Sequence, residues 1–209
     1  TGESGYVNYS AVRSVRESIL RRAFDRFKAD AEYERFVKEN EFWLEPYALF
    51  MAVRRHYKGK ELEFWAEQDR ALTDSVKERY SEQYKAECDY HKFLQYRFFA
   101  DWERLHTYCN SIGIKLMGDM PIYVSRDSVD VWSNTELFQI NEKSLAPTHV
   151  AGVPPDYFSA DGQLWGNPLY DWKKMEKDGF KWWITRIATC LRLYDKVRID
   201  HFRAFASYW

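Results

Sequence analysis

The residues best suited to chemistry lie in the stretch VRIDHFRAF, residues 197–205, where apolar and charged side chains alternate. In a β-strand, successive side chains point to opposite faces, so Arg198 and Asp200 would share one face. A guanidinium beside a carboxylate keeps it ionised, which suits a carboxylate nucleophile. The strand alone leaves another interpretation open, in which Asp200 caps a loop or forms a surface salt bridge and His201 is a core histidine.

A second carboxylate, Asp119, lies in the stretch GDMPIYV at residues 118–124. It comes just after a predicted strand, and Pro121 cannot continue a strand ladder. On its own this is weak evidence for a site, because aspartates are common in turns.

A third stretch, AGVPPDYFSADGQLWGNPLYDW at residues 151–172, combines glycines and prolines with aromatic, amide and carboxylate side chains. Aromatic rings bind the apolar faces of sugars, and carboxylates and amides pair with vicinal hydroxyls. Such rings can also pack a loop on itself, and we expect this of Tyr170 and Trp172. The residues expected to bind a sugar are Asp156, Tyr157, Phe158, Gln163, Trp165 and Asn167.

The elements that must position these residues change in character near Gly113, which we expect to end a helix. Before it, apolar spacing predicts helices at residues 10–30, 46–56 and 94–112. The charge-rich segment 61–84 is predicted to be an exposed, helical cover. After Gly113 we predict strand 114–117, loop 123–172, helix 179–194 and strand 196–200. A strand, helix and strand in this order normally place both strands parallel in one sheet.

A charged face on such a strand needs an explanation, because central parallel strands usually have two apolar faces. A (β/α)8 barrel supplies one. Its outer face packs on helices, and its inner face opens into an active site at the carboxyl ends of the strands. We therefore expect an α/β fold in which Arg198 and Asp200 face into a barrel.

Composition argues against several classes of function. The 31 basic and 32 acidic residues leave no basic excess for nucleic acid. The three cysteines have no C-x-x-C spacing and no histidines at ligand intervals, so we expect no metal or other cofactor. The longest apolar run, residues 46–53, is far short of a membrane span of about 20 residues, so we expect a cytoplasmic protein without a membrane partner. The chain begins TGESGY without a methionine, and we expect it to be part of something longer.

Taken together, GDMPIYV, VAGVPPDYFSADGQLWGNPLYDW and VRIDHFRAF resemble the successive signatures of the 4-alpha-glucanotransferases of glycoside hydrolase family 77, also called amylomaltases or disproportionating enzymes. WLEPYALFMAV, residues 43–53, is similar to the family's helical insertion. The resemblance runs through essentially the whole chain but covers only a middle portion of a family enzyme. It implies part of a (β/α)8 TIM barrel, about strands 3 and 4, in residues 113–209 with an active-site loop at 123–172. Residues 1–112 would form a mainly helical insertion subdomain.

The resemblance also implies a reaction. Family members transfer a segment of an α-1,4-glucan to a 4-hydroxyl of glucose or another glucan, with retention, so Asp200 would form a covalent intermediate. Arg198 would orient Asp200, His201 would bind a glucose hydroxyl, and Asp119 would be a structural or sugar-contacting residue. The loop would border the acceptor sites and exclude water. The expected partners are maltooligosaccharides and α-1,4-glucans.

Two further expectations follow from the partial coverage. The family's acid/base glutamate and stabilising aspartate come from later strands than those matched, so the 209-residue chain alone should be inactive. The exposed edges of a partial barrel could also support oligomers.

Two alternatives stay open. An α-amylase-like glucan hydrolase would share the barrel and the Asp200 strand. A non-catalytic glucan-binding module would keep the aromatic loop without the chemistry. The loop at residues 151–172 favours the transferase.

Overall fold

Helices make up most of the first half of the chain, in a computed structural model that describes residues 6–157 and 159–206. They are α1 (Tyr9–Phe24), α2 (Ala31–His56), α3 (Asp74–Tyr80) and α4 (Lys85–Ser111). The side chains of Asn8, Asp30 and Thr73 cap the first three by accepting a hydrogen bond from a first-turn backbone N–H. Gly113, with φ +80°, follows α4 in the left-handed conformation that glycine adopts easily, as predicted for a helix stop.

The prediction that a helix begins near Pro46 was wrong, because α2 already starts at Ala31 and Pro46 lies inside it. Proline lacks an N–H, so the helix loses one backbone hydrogen bond at this point. Burial offsets the loss, since Leu44, Ala48 and Val53 on α2 have no exposed surface. The apolar face of the long helix therefore outweighs the local start signal that Pro46 provides.

α1 is shorter than predicted, and none of its residues is buried. It ends at Phe24, and Val15 and Ile19, which the apolar spacing places on one helical face, are 60% and 50% exposed. The packing contacts come later, where the Phe24 ring lies 5.5 Å from those of Tyr90 and Phe93 on α4. α1 has apolar residues on more than one side, so its spacing could not show which side would pack.

The charge-rich segment 61–84 is not the exposed cover that was predicted. It contributes to the core the buried side chains of Leu62, Trp65, Val76 and Tyr80. Asp69, only 1% exposed, is also buried. Its carboxylate accepts hydrogen bonds at 2.5 to 2.7 Å from the hydroxyls of Tyr57 and Tyr80 and the guanidinium of Arg79. Buried apolar side chains alternate with solvated charged ones in this segment, so its high overall charge did not indicate that part of it is buried.

A two-stranded parallel sheet carries the candidate site. Its strands are β1 (Met117–Met120) and β4 (Lys196–Ile199), and they pair in parallel, as predicted. The helix before β4 is α7 (Lys181–Leu193). The first strand was predicted at residues 114–117 and shares only Met117 with β1. Gly118 in β1 lies against Tyr194, whose ring would be 2.3 Å from an added Cβ, so only glycine allows this close approach.

The predicted loop 123–172 contains short regular elements. These are α5 (Val129–Ser133) and the antiparallel strands β2 (Val150–Val153) and β3 (Gln163–Pro168), and α6 (Trp172–Lys177) follows directly. The expectation that Tyr170 packs internally was confirmed, because it is 1% exposed and its hydroxyl donates to the Ile122 carbonyl at 2.7 Å. Trp172 packs on the same core.

One hydrophobic cluster joins the helical half to the second half. The ring of Phe50 on α2 lies 5.5 Å from that of Trp132 on α5, and Arg54 forms an ion pair with Asp127 at 2.7 Å. Among the residues that the structure describes, every helix is too short or too polar to cross a bilayer. The helical half and the strands therefore share one hydrophobic core.

Candidate active site

Arg198 and Asp119 face each other across the parallel sheet. The register pairs these two residues directly, and the guanidinium of Arg198 binds the Asp119 carboxylate in a fork. Arg198 Nε donates to Asp119 Oδ1 at 3.0 Å, and Arg198 Nη2 donates to Asp119 Oδ2. Two parallel hydrogen bonds of this kind fix the plane of the guanidinium.

Asp200 lies beside this pair. Its Oδ1 is 3.9 Å from Arg198 Nη2, so one guanidinium contacts two carboxylates. The predicted sharing of a face by Arg198 and Asp200 is thus seen, but Arg198 binds Asp119 more closely. Side chains opposite each other on neighbouring strands are nearer than side chains two residues apart on one strand, and only the fold supplies the register.

The electrostatics follow from these contacts. The hydrogen bond from Arg198 lowers the pKa of the Asp119 carboxyl below its usual range. The same hydrogen bond, with the charge of Asp119, raises the pKa of Arg198. The carboxylate of Asp200 stays 68% exposed and therefore accessible to a ligand. The strand ends thus present a fixed cation, an ionised partner and an accessible carboxylate.

The backbone holds Asp200 in place at the end of β4. Its N–H donates to the carbonyl of Met120 at 3.2 Å, which continues the strand pairing by one residue. His201 then adopts a left-handed conformation, with φ 52°, and the chain turns into a 3-10 helix at Phe202–Phe205. A non-glycine residue in this conformation is uncommon and marks a sharp change of direction.

The β2–β3 hairpin brings an aromatic residue to this turn. The Trp165 ring lies 5.1 Å from the His201 ring at 81°, an edge-to-face contact. Trp165 Nε1 donates to Gln163 Oε1 at 2.9 Å, and the Tyr123 ring lies 6.3 Å from that of Trp165. The hairpin thus places Trp165 and Gln163 next to His201, the residue that follows Asp200.

The remaining predicted loop residues have more local contacts. Asn167 donates to the Val124 carbonyl at 2.8 Å, which ties β3 to the segment after β1. Asp156 accepts a hydrogen bond from the Ser159 N–H at 2.9 Å and so shapes the hairpin tip. Tyr157 at the same tip is 98% exposed. Phe158 lies outside the described residues.

The structure therefore joins part of the predicted set. It brings together Asp119, Arg198, Asp200, His201, Gln163 and Trp165. Asp156 and Tyr157 are at the hairpin tip, and the hydrogen bond of Asn167 supports the backbone after β1. Sequence reasoning missed Tyr123, which lies within GDMPIYV, and its aromatic character among turn residues was the available signal.

A further residue missed by sequence reasoning is Arg186 on α7. It donates to the carbonyls of Pro121 and Ile122, at 2.6 and 3.2 Å, and lies over the rings of Trp182 and Trp183 at 5.2 and 5.1 Å. It thereby fixes the chain just after β1. Within residues 6–157 and 159–206, no group of three or more His, Cys, Asp or Glu side chains could hold a metal ion.

Comparisons with known proteins agree with this arrangement. A family model described as 4-alpha-glucanotransferase matches residues 1–209. The chain is similar to the 4-alpha-glucanotransferase of Clostridium butyricum, with 42% identity over 205 residues, 97% of this chain and 42% of that protein. It is also similar to the 4-alpha-glucanotransferase of Thermus thermophilus, with 40% identity over 211 residues, which cover 98% of this chain and 42% of that protein.

A solved structure is also similar. The amylomaltase of Streptococcus agalactiae in complex with acarbose superimposes with a TM-score of 0.89 and 38% identity, covering 97% of this chain and 42% of that one. The chain spans about 42% of the length of the curated relatives named above. With the whole chain matched by the family model and a fold shared with an amylomaltase, the chain belongs to the 4-alpha-glucanotransferase family, glycoside hydrolase family 77.

Proposed function

We propose that these residues serve a 4-alpha-glucanotransferase, which transfers a segment of an α-1,4-glucan to the 4-hydroxyl of glucose or another glucan. The single observation that carries the proposal is the position of Asp200, exposed at a strand end and 3.9 Å from a guanidinium that Asp119 holds in place. Family membership supplies the reaction class. The acarbose complex of the S. agalactiae relative supports an oligosaccharide as the ligand.

In the proposed mechanism Asp200 attacks the anomeric carbon of the donor. The glycosidic C–O bond breaks, the leaving 4-oxygen takes a proton from an acid, and a glycosyl ester of Asp200 forms. The 4-hydroxyl of an acceptor then attacks the same carbon, gives its proton to the conjugate base and releases Asp200. Two inversions give net retention. The reaction uses carboxyl groups alone, so the proposal includes no cofactor.

Asp119 is poorly suited to be the acid. Retaining enzymes need a second carboxyl group that is protonated when the donor binds. Because the hydrogen bond from Arg198 lowers the pKa of Asp119, this carboxyl stays ionised near neutral pH. We therefore assign Asp119 to positioning Arg198 or contacting sugar, and assign the acid to a residue outside the described cluster. Because the chain spans about 42% of the length of its curated relatives, the 209 residues alone should not transfer glucan.

The hairpin residues would act on the acceptor side. Trp165 and His201 meet edge to face next to Asp200, where a ring can stack on a sugar and His201 can bind a hydroxyl. Excluding water from this side would favour transfer over hydrolysis. The other proposed contributors to the acceptor sites are Asp156, Tyr157, Phe158, Gln163 and Asn167.

The proposal also assigns the architecture. β1 and β4 would be the third and fourth strands of a (β/α)8 barrel, and residues 123–172 would cover their carboxyl ends. Residues 1–112 would be a helical subdomain that supports this half-site through the shared core. The parallel pairing of β1 and β4 and the position of Asp119 and Asp200 at their carboxyl ends support this assignment.

A chimera tests the proposal, with these 209 residues replacing the matching segment of the C. butyricum relative. Given maltotriose, it should produce longer and shorter maltooligosaccharides and glucose with little net gain of reducing ends. A rise in reducing ends would favour a hydrolase instead. Asp200→Asn should abolish transfer while glucan binding largely survives, and unchanged turnover in that variant would contradict the proposal and favour a binding module.

A further inference from the structure

A groove in the helical half is separate from the strand ends. It has a volume of about 850 Å³ and lies between α1, the end of α2 and α4, and none of its lining residues belongs to β1, β4 or the hairpin. Its size falls in the range of about 300 to 1,000 Å³ that is usual for small-molecule sites. The chemistry of its walls indicates what it would bind.

The groove is strongly cationic. Six basic side chains line it, against two carboxylates, Glu17 and Glu87. The chain as a whole has a net charge of −1, so this is a local concentration of positive charge. The basic residues are Arg13, Arg16, Arg21, Arg54, Arg55 and Lys58. A concave surface lined by one sign of charge attracts ligands of the opposite sign.

Part of this charge is already neutralised. Arg21 binds Glu87 through two hydrogen bonds at 2.8 and 2.5 Å, and Arg55 lies 3.3 Å from both Glu17 and Glu87. Arg54 pairs with Asp127 outside the groove. Those ion pairs involve three of the six cations. The other three are Arg13, Arg16 and Lys58.

The remaining cations have no partner in the described part of the chain. Arg13, Arg16 and Lys58 form no ion pair or side-chain hydrogen bond there, and the Nε of Arg21 is buried without an acceptor. Compensation of a helix dipole can explain Lys58, which follows the C-terminal end of α2. It does not explain Arg13 and Arg16, which lie in the N-terminal half of α1 where the dipole gives cations no stabilisation.

The groove also offers surface for an organic group. Leu20 and Met51 contribute apolar surface, next to the Arg21 guanidinium, which covers the buried Tyr90 ring at 3.5 Å from its centre. Tyr9, 76% exposed, also lines the groove. A bare inorganic ion would leave these walls uncovered.

We propose that this groove binds a small organic phosphate, with Arg13, Arg16 and Lys58 around the phosphate and Tyr9, Leu20 and Met51 against its organic body. This site is independent of the proposed transfer reaction, since it shares no residue with the strand ends.

Calorimetry on the chimera, in which these residues replace the matching segment of the C. butyricum relative, tests the proposal, with glucose 6-phosphate, adenosine monophosphate, inorganic phosphate and glucose as probes. At least one organic phosphate should bind about tenfold or more tightly than inorganic phosphate, and glucose should not bind. Binding should weaken at 1 M salt, where the screening length falls to about 3 Å. Equal affinity for inorganic and organic phosphates, or no binding of any phosphate, would overturn the proposal.

Matched variants locate the site. Arg13→Gln with Arg16→Gln removes two unpaired cations and should lower the affinity about tenfold or more, without changing the unfolding midpoint in the absence of ligand. Arg22→Gln removes an equivalent charge from α1 outside the groove and should leave binding unchanged. If both changes weaken binding equally, the interaction is a diffuse charge effect and the groove is not the site.

Discussion

Arg198 on β4 binds Asp119 on β1 through two hydrogen bonds while one of its nitrogens stays 3.9 Å from Asp200. One guanidinium therefore links two neighbouring parallel strands at the ends where a barrel enzyme would place its site. The orientation of the proposed nucleophile depends on a residue of the other strand. Arg198 and Asp119 are therefore expected to act together in orienting Asp200.

Arg198→Lys tests this joint role in the chimera. Lysine keeps the positive charge but cannot form the planar fork to Asp119, so Asp200 loses its orientation. We expect kcat for maltotriose to fall about tenfold to a hundredfold with a smaller change in KM. Arg203→Lys, on the 3-10 helix that follows, is the matched control and should stay near the parent value. A parent-like kcat for Arg198→Lys would show that charge alone suffices.

Trp165 should control the choice between transfer and hydrolysis. Its ring contacts His201 next to Asp200, so Trp165→Ala would open the acceptor side to water. We expect the share of hydrolysis to rise several-fold and the KM for acceptor glucose to increase, with Trp165→Phe intermediate, since a ring contributes a large contact surface and its aromatic contacts add about 0.5–1.5 kcal/mol. Leu164→Ala changes the adjacent, 76% exposed residue and serves as the control. An unchanged ratio of transfer to hydrolysis in Trp165→Ala would show that the Trp165 ring does not contribute to the acceptor site.

Asp195 should make the chain less stable in acid. The Leu116 N–H donates to its carboxylate at 2.9 Å, and His106 and Lys115 also contact it, so these hydrogen bonds hold the pKa of Asp195 well below its usual range. The folded state binds its proton less readily than the unfolded state. The stabilisation is therefore complete above the unfolded pKa of about 3.9 and is lost progressively as the pH falls toward the folded value.

Urea unfolding of the 209-residue chain measures this effect. Asp195→Asn should lower the midpoint at neutral pH, and the difference from the parent should shrink as the pH is lowered through about 4. Glu103→Gln, an exposed carboxyl on α4, should produce no such pH-dependent gap. A difference that stays constant with pH would mean that Asp195 acts through packing rather than through its charge.

Asp69 should be the most sensitive carboxylate of the helical half. Asp69→Ala leaves the hydroxyls of Tyr57 and Tyr80 without their acceptor, in surroundings where Tyr80 is only 5% exposed. We expect the free energy of unfolding to fall by about 2–4 kcal/mol, because each buried unsatisfied group costs about 1–3 kcal/mol. Asp74→Ala, which removes an exposed partner of Lys77, should change it by less than about 0.5 kcal/mol. Similar losses in both variants would rule out the network as the cause.

Much of this arrangement could be predicted from local patterns. Alternation in residues 197–200 correctly placed Arg198 and Asp200 on one face, because the side-chain period of a strand is fixed. The order of strand, helix and strand correctly predicted parallel pairing. Glycine and aromatic content identified the segment from which Trp165 reaches His201.

What could not be predicted depends on contacts between distant residues. The partner of Arg198 is set by strand register, which no single strand encodes. Asp69 sits in a charge-rich segment, and its burial becomes evident only once Tyr57 and Tyr80 are brought around it. Pro46 gave a local start signal for a helix, but α2 already begins at Ala31 because its apolar face continues through the proline. In each case, contacts between residues distant in the sequence determined the structure, and the local sequence pattern did not show them.

Asp200 is the proposed site of the covalent intermediate. Mass spectrometry of peptides from the chimera, quenched with acid during turnover of a maltooligosaccharide, tests this role directly. We expect added glycosyl mass on the peptide that contains Asp200, and its loss in Asp200→Asn. Glycosyl mass on the peptide that contains Asp119, or on any other residue, would contradict it.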